Sequence, residues 1–164
     1  MEGIRRIIVP VDFNKHTDTL ADFAIYIANK LNGRITFVHV MMRLPDSMDF
    51  DPNTWAQIEK NLLAQSEKQM TGFLATVKGK CLECDGAVIK GDVTDAILAY
   101  AADAKADLII ISTHGSKGIE KILLGSVAER VIKAAPCPTL VFNPFKGDRG
   151  YEVCSPLNEC VTTV

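Results

Sequence analysis

Leu108, Ile109, Ile110 and Ile111 form an unbroken apolar run directly after Asp107. A strand with one wet face alternates apolar and polar residues. An unbroken run marks a strand covered on both faces, as in a parallel sheet flanked by helices. The remaining elements agree with that reading. Ile7 to Val11 is a second short apolar run. Leu20, Ala24, Ile27 and Leu31 then recur at helical spacing, with Phe23 beside them and Gly33 as the expected stop. Ile35 to Met41 is rich in β-branched and aromatic residues and reads as a strand. Asp51 and Pro52 read as a helix cap and a first-turn proline. Trp55, Ile58, Leu62, Met70, Phe73 and Val77 trace one face of the long helix that follows, and Ser66 interrupts that face.

Ala87 to Ile89 reads as a short third strand, and Asp92 as the cap of a helix with Ile97, Ala101 and Ala104 inward. Ser126, Val127, Ala128 and Glu129 read as a capping box opening a helix through Lys133. Thr139 to Phe142 is the last strand expected. The order β-α-β-α-β-α-β-α-β predicts an α/β fold with an open, five-stranded, Rossmann-like parallel sheet and right-handed crossovers.

Length and charge narrow the function. A chain of 164 residues is one domain's worth and buries roughly 70% of its unfolded surface. A net charge of −2 leaves no electrostatic footprint for nucleic acid. No apolar stretch approaches the ~20 residues of a membrane span. The segment from Met1 to Asp12 does not read as a signal peptide, and Glu2 excludes myristoylation. The expectation is a cytoplasmic protein whose five cysteines are reduced thiols. Residues 1–145 are expected to form the domain, and residues 146–164 a peripheral or mobile tail.

Ligands of open α/β sheets sit outside the carboxyl ends of the strands, where strand order reverses. Asp12 follows the first strand, and Val40 and Met41 end the second. After the fourth comes a glycine- and hydroxyl-bearing stretch, Ser112 to Ser126, that runs into a helix N-terminus. Free backbone N–H groups and the helix dipole favour an anion there. A plain βα loop is the alternative reading. Neither G-x-x-x-x-G-K-[ST] nor G-x-G-x-x-G after a strand is present.

Catalytic and metal signatures are sparse, and neither catalytic nor metal-ligating residues are expected. No G-x-S-x-G elbow occurs. His39, inside a strand, reads as a packed, hydrogen-bonded residue, and His16 as part of a loop. His114 lies in the candidate phosphate loop and reads as a solvated loop residue, with phosphate contact or an acid–base role as the alternatives. Cys81 and Cys84 form a C-x-x-C that precedes a strand, unlike thioredoxin motifs, and lacks a matching second pair for zinc. Incidental thiols are the expectation there, with a redox or metal site as the alternative.

Together these segments resemble the universal stress protein family. The resemblance rests on Ile8-Val9-Pro10-Val11-Asp12-Phe13, Val38-His39-Val40, Asp107-Leu108-Ile109-Ile110, Leu123 to Val131, and Ala135-Pro136-Cys137-Pro138. It spans residues 4–143 and implies a sheet order of 3-2-1-4-5 with helices on both faces. The nucleotide-binding pattern G-x2-G-x9-G-[ST] maps as Ser112, Gly115, Gly125 and Ser126, with serine in place of the first glycine. By resemblance, Asp12 accepts from an adenine amino group, Val40 meets the base through its backbone, and Pro10 lines the base pocket. Gly115, Gly125, Ser126 and Val127 would hold phosphates. The implied function is a regulatory, stress-response module binding ATP with Mg2+. The implied assembly is a homodimer through Thr139 to Phe142. A nucleotide-free dimeric scaffold and a slow ATPase are the alternatives.

Overall fold

The structure is a computed structural model and describes residues 3–43, 51–113, 124–145, 152–154 and 160–162. In chain order the elements are β1 (Arg6–Pro10), α1 (Thr17–Leu31), β2 (Arg34–Met42), α2 (Pro52–Val77), β3 (Cys84–Gly91), α3 (Val93–Asp103), β4 (Leu108–Ser112), α4 (Ser126–Ala134) and β5 (Thr139–Phe142). The strands form one sheet in the order β3-β2-β1-β4-β5, parallel throughout. Two further short strands, β6 (Glu152–Cys154) and β7 (Cys160–Thr162), pair antiparallel outside it, with β6 beside α1.

Strand periodicity of two divides the core into two layers. Ile7, Val9, Ile35, Phe37 and Ile110 face α1 and α2, meeting Leu20, Ala24, Ala28, Phe73 and Val77. Ile8, Val38, Ile109 and Ile111 face α3 and α4, meeting Ile97, Ala101, Ala128 and Val131. Both faces of the central strands are therefore dry, as the run after Asp107 predicts. No described helix is long and apolar enough to cross a membrane.

Two caps form as read. The Asp51 carboxylate accepts from the Asn53 and Thr54 N–H groups at 2.9 and 3.1 Å. Asp92 accepts from Thr94 and Asp95 N–H at 3.0 and 3.2 Å. The amino end of the sheet is clamped by Asp107. It accepts from the Arg6 N–H at 2.8 Å, the Arg5 N–H at 3.1 Å and the Arg6 guanidinium at 3.1 Å. The Arg6 side chain, then the backbone donors, hold its pKa down to about 2.

Several expectations need correction. β3 runs eight residues, because its register with β2 from Cys84 to Gly91 holds a segment whose own apolar content is thin. α1 ends at Asn32, which takes the left-handed conformation itself (φ 51°), with Gly33 one residue beyond. Ser66, by contrast, sits on the apolar face of α2 as read, only 7% exposed. The expectation of free thiols fails at Cys81 and Cys84, which are joined by a disulfide. Their Cα atoms stand 6.0 Å apart, within the span a disulfide closes.

Candidate functional site

Backbone direction in β1 opens the cleft. The Arg5 carbonyl accepts from Arg34 at the start of β2, and the Arg6 carbonyl from Asp107 just ahead of β4, both at 2.8 Å. Odd residues of β1 thus bond toward β2 and even residues toward β4. Pro10 is even and has no N–H, so it offers β4 no donor. The β1–β4 ladder runs only through Ile7↔Leu108 and Ile8↔Ile109. The ends of both strands lie beyond it, at the point where strand order reverses.

On the β2 side, register continues to Pro10↔Val38, and the Val11 N–H donates to the Val38 carbonyl at 2.9 Å. Val40 lies beyond that register and pairs with Ile89 of β3. His39 is the packed histidine expected, with Nδ1 2.9 Å from the Val11 carbonyl. The Phe13 ring lies on the imidazole at 4.5 Å and edge-on to Phe73 at 6.1 Å. Phe13 adopts φ 54°, a strained conformation for a bulky residue. That turn leaves Asp12 exposed at the mouth. The Asp12 carboxylate accepts from the Asn14 side-chain amide at 2.9 Å and from the Asn14 N–H at 3.3 Å.

On the β4 side the chain leaves the sheet at Thr113, whose N–H donates to the Phe142 carbonyl at 2.8 Å. It is pinned again at Gly125, whose N–H donates to the Thr113 carbonyl at 2.7 Å. This one bond closes the base of the loop and sets the start of α4 beside the end of β4. A Cβ on Gly125 would lie 2.9 Å from the Thr113 carbonyl oxygen, so glycine is required for the approach.

The capping box does not form. Gly125 is the cap residue of α4, and having no side chain it makes no cap hydrogen bond. Ser126 falls one position later, on the first helical residue. Glu129 instead bonds Lys133 at 2.6 Å, which lowers its carboxyl pKa. The register is displaced because the Gly125–Thr113 bond, not a serine hydroxyl, decides where the chain turns.

The structure therefore gathers Pro10, Asp12, Val40, Ser112, Gly125, Ser126 and Val127 at the carboxyl ends of β1, β2 and β4. Gly115 and His114 lie outside the described residues. Thr113, Phe13 and Asn14 were not singled out from sequence. Asp-x-Asn directly after a strand is the signal that could have found Asn14, since short polar side chains bond backbone two residues away. Among the described residues, no group of three or more His, Cys, Asp or Glu is placed to hold a metal ion. A shallow recess lined by Phe13, Asn14, Thr17 and Phe73 lies nearby and includes none of the predicted site residues.

Comparison with known proteins supports the same frame. A universal stress protein of Methanocaldococcus jannaschii is 31% identical over 137 residues, covering 84% of this chain and 81% of that protein. The solved universal stress protein UspA from Lactobacillus plantarum superposes with a TM-score of 0.73 at 21% identity, covering 87% of this chain and 99% of that one. The universal stress protein from Archaeoglobus fulgidus in complex with dAMP shares the fold at TM-score 0.60 and 19% identity, covering 84% and 96%. A family protein from Arabidopsis thaliana with AMP bound does so at 0.59 and 17%, covering 85% and 91%. Residues 3–143 match the Universal stress protein family, and the chain belongs to it.

Proposed function

We propose that this chain is a regulatory module that binds an adenine nucleotide, ATP with Mg2+, in the cleft between the ends of β1 and β4. The observation that carries the reading is the start of α4. That helix begins at Gly125 with no side-chain cap, while Asp51 and Asp92 cap α2 and α3. Its first-turn N–H groups and the positive end of its dipole suit phosphate oxygens. The bound neighbours, dAMP in one and AMP in the other, favour an adenine nucleotide as the anion.

The residues have separate tasks in this reading. Ser126 and Val127 donate backbone N–H groups to phosphate, and Gly125 keeps the approach free of a Cβ. Gly115 and Ser112 belong to the same phosphate loop. Asp12 accepts from the adenine amino group, exchanging its bond from the Asn14 amide for one from the base. Val40 meets the base through its backbone, and Pro10 lines it. Mg2+ supplies charge neutralisation along the phosphates. No residue is assigned as a base for hydrolysis. Stress response, a cytoplasmic site and a homodimer belong to the same proposal. Val141 on the edge strand β5 is 38% exposed, and an apolar edge calls for cover.

Ser126→Asp tests the site. Aspartate in the first turn suits the helix dipole, so α4 is retained while a negative charge faces the phosphates. Calorimetry should show ATP affinity falling on the order of 100-fold, since like charges brought together cost several kcal/mol. Equal affinities in the two proteins overturn the assigned site. Absence of heat with either favours the nucleotide-free scaffold, and phosphate release at a steady rate favours the slow ATPase.

A further inference from the structure

The Cys81–Cys84 pair lies away from the nucleotide cleft. It spans the corner between α2 and β3, at the amino end of β3, whereas the cleft lies at the carboxyl ends of β1, β2 and β4. The two residues differ in exposure, although Cys84 also packs against the core layer that holds Cys81. Cys81 is 7% exposed and belongs to the core layer that includes Phe73, Val77 and Ala28. Cys84 is only half-buried and begins the edge strand β3. Leu82 and Glu83 between them are exposed.

The corner has further ties besides the disulfide. The Asn29 side-chain amide donates to the Lys80 carbonyl at 3.1 Å, and Lys80 Nζ pairs with Asp22 at 2.8 Å. The Lys80 N–H donates to Val77, and the Ile35 N–H to the Glu83 carbonyl, both at 2.9 Å. A disulfide enclosing two residues also constrains the unfolded chain less than one closing a long loop. The two Cα atoms are 6.0 Å apart and three residues apart in sequence, so the bond joins positions the chain already holds close. A small buried thiol is tolerated in an apolar core.

We propose that Cys81 and Cys84 form a reversible thiol–disulfide exchange site, with Cys84 as the entry sulfur and Cys81 as the shielded resolving sulfur. Its reductant is a dithiol. In the first step a thiolate of the dithiol attacks Cys84 Sγ. The Cys81–Cys84 bond breaks, and its electron pair leaves on Cys81 Sγ, which takes up a proton as it departs into apolar surroundings. The dithiol's second thiolate then attacks its own sulfur in the mixed disulfide and releases Cys84. The products are the protein dithiol and a cyclic disulfide, for two electrons and two protons. A monothiol stalls at the mixed disulfide, because Cys81 stands beside Cys84 and closes back faster than a second molecule arrives. A poor leaving sulfur slows the forward step further. Oxidation runs in reverse, beginning at Cys84 with a small-molecule disulfide.

Trypsin separates this pair from the other cysteines, because Lys80 and Lys90 bound a peptide, Cys81 to Lys90, that carries only these two. The full chain is first oxidised with a small-molecule disulfide, then exposed while folded to dithiothreitol or to glutathione at equal thiol concentration. It is then alkylated in denaturant, digested and weighed. Dithiothreitol should give the doubly alkylated peptide, and glutathione at least about 10-fold less of it. In single variants, Cys84 of Cys81→Ser should react with an aromatic disulfide about 10-fold faster than Cys81 of Cys84→Ser. A peptide that stays oxidised in dithiothreitol until the chain unfolds overturns the proposal, as do equal yields with the two reductants. Equal rates in the two variants, each checked for cooperative unfolding, overturn the division of roles. The wild-type exchange stands as a test even where a variant fails to fold.

Discussion

Asp107→Asn should uncouple the amino ends of β1 and β4 and remove a defined part of the acid dependence of stability. The wild-type carboxyl has its pKa held down to about 2 from an ordinary 3.8, first by the Arg6 side chain and then by backbone donors. A depression of about 1.8 units at 1.36 kcal/mol per unit sets a ceiling near 2.4 kcal/mol. The side chains of Arg6 and Asp107 are 36% and 27% exposed, so water screens the pair and about 1 to 1.5 kcal/mol is the realistic share. Because the folded pKa lies below the unfolded one, the unfolded chain binds more protons. The contribution is complete above about pH 5 and is lost as pH falls through 4 toward 2. Urea melts of both proteins should differ in midpoint by roughly 0.5 M at pH 7, taking a slope of about 2 kcal/mol per molar. The difference should shrink to a few tenths of a kcal/mol near pH 2, where about half of the wild-type carboxyl is protonated, and close below it. A gap that stays constant from pH 7 to pH 2 would refute the electrostatic account and leave only a steric one.

Gly86→Ala should destabilise by about 1 kcal/mol, since a Cβ there would lie 2.6 Å from Met70 Cγ and Sδ and 2.9 Å from Leu74 Cδ1. Calorimetric melts of Gly86→Ala, Met70→Ala and the double variant should be non-additive, and strict additivity would count against the contact. Asp92→Ala removes the acceptor for two N–H groups of α3 and should cost about 1 kcal/mol in equilibrium denaturation, with Asp92→Ser recovering most of it. Val141→Lys should give a monomer by light scattering if β5 pairs with its copy, because lysine blocks an edge; an unchanged mass would place the interface elsewhere.

What was legible in the sequence follows from what sets each element. The β4 run and the helical spacing in α1 are burial patterns, and burial comes from the whole fold, so pattern and structure agree. Asp51 and Asp92 act within three residues of themselves, and their caps could be read locally. β3 was underread because its residues are held by β2 rather than by their own apolar content, with Asp85 and Gly86 exposed on an edge strand. The disulfide was only the alternative reading, because compartment and motif spacing set the expectation and neither says where two sulfurs meet. The start of α4 was misplaced by one residue for a similar reason. Ser126-x-x-Glu129 is a valid local pattern, but a long-range bond to Thr113 overrides it.

That same bond changes what the motif glycine signifies. Gly125 is needed by the fold alone, because any Cβ there meets the Thr113 carbonyl at 2.9 Å, bound nucleotide or not. Substituting it therefore cannot test phosphate binding cleanly. Gly125→Ala should lower stability by about 1 to 3 kcal/mol in the apo protein, because the contact is with backbone and the loop base must open to relieve it. Loss of nucleotide affinity in that variant would follow from the displaced helix start whichever ligand the cleft takes. The contact also excludes an aspartate cap like those of α2 and α3, which would need that Cβ, so the N–H groups of Val127 and Ala128 take no acceptor from the cap residue. Glycine at the cap brings no side-chain acceptor of its own, and in the proposed reading the ligand supplies one. The pair of variants separates the causes: an apo melt moved by Gly125→Ala but not by Ser126→Asp, with ATP affinity lost in both, matches packing at one residue and anion binding at the next. An unmoved melt in Gly125→Ala would refute the backbone contact as the reason for the glycine.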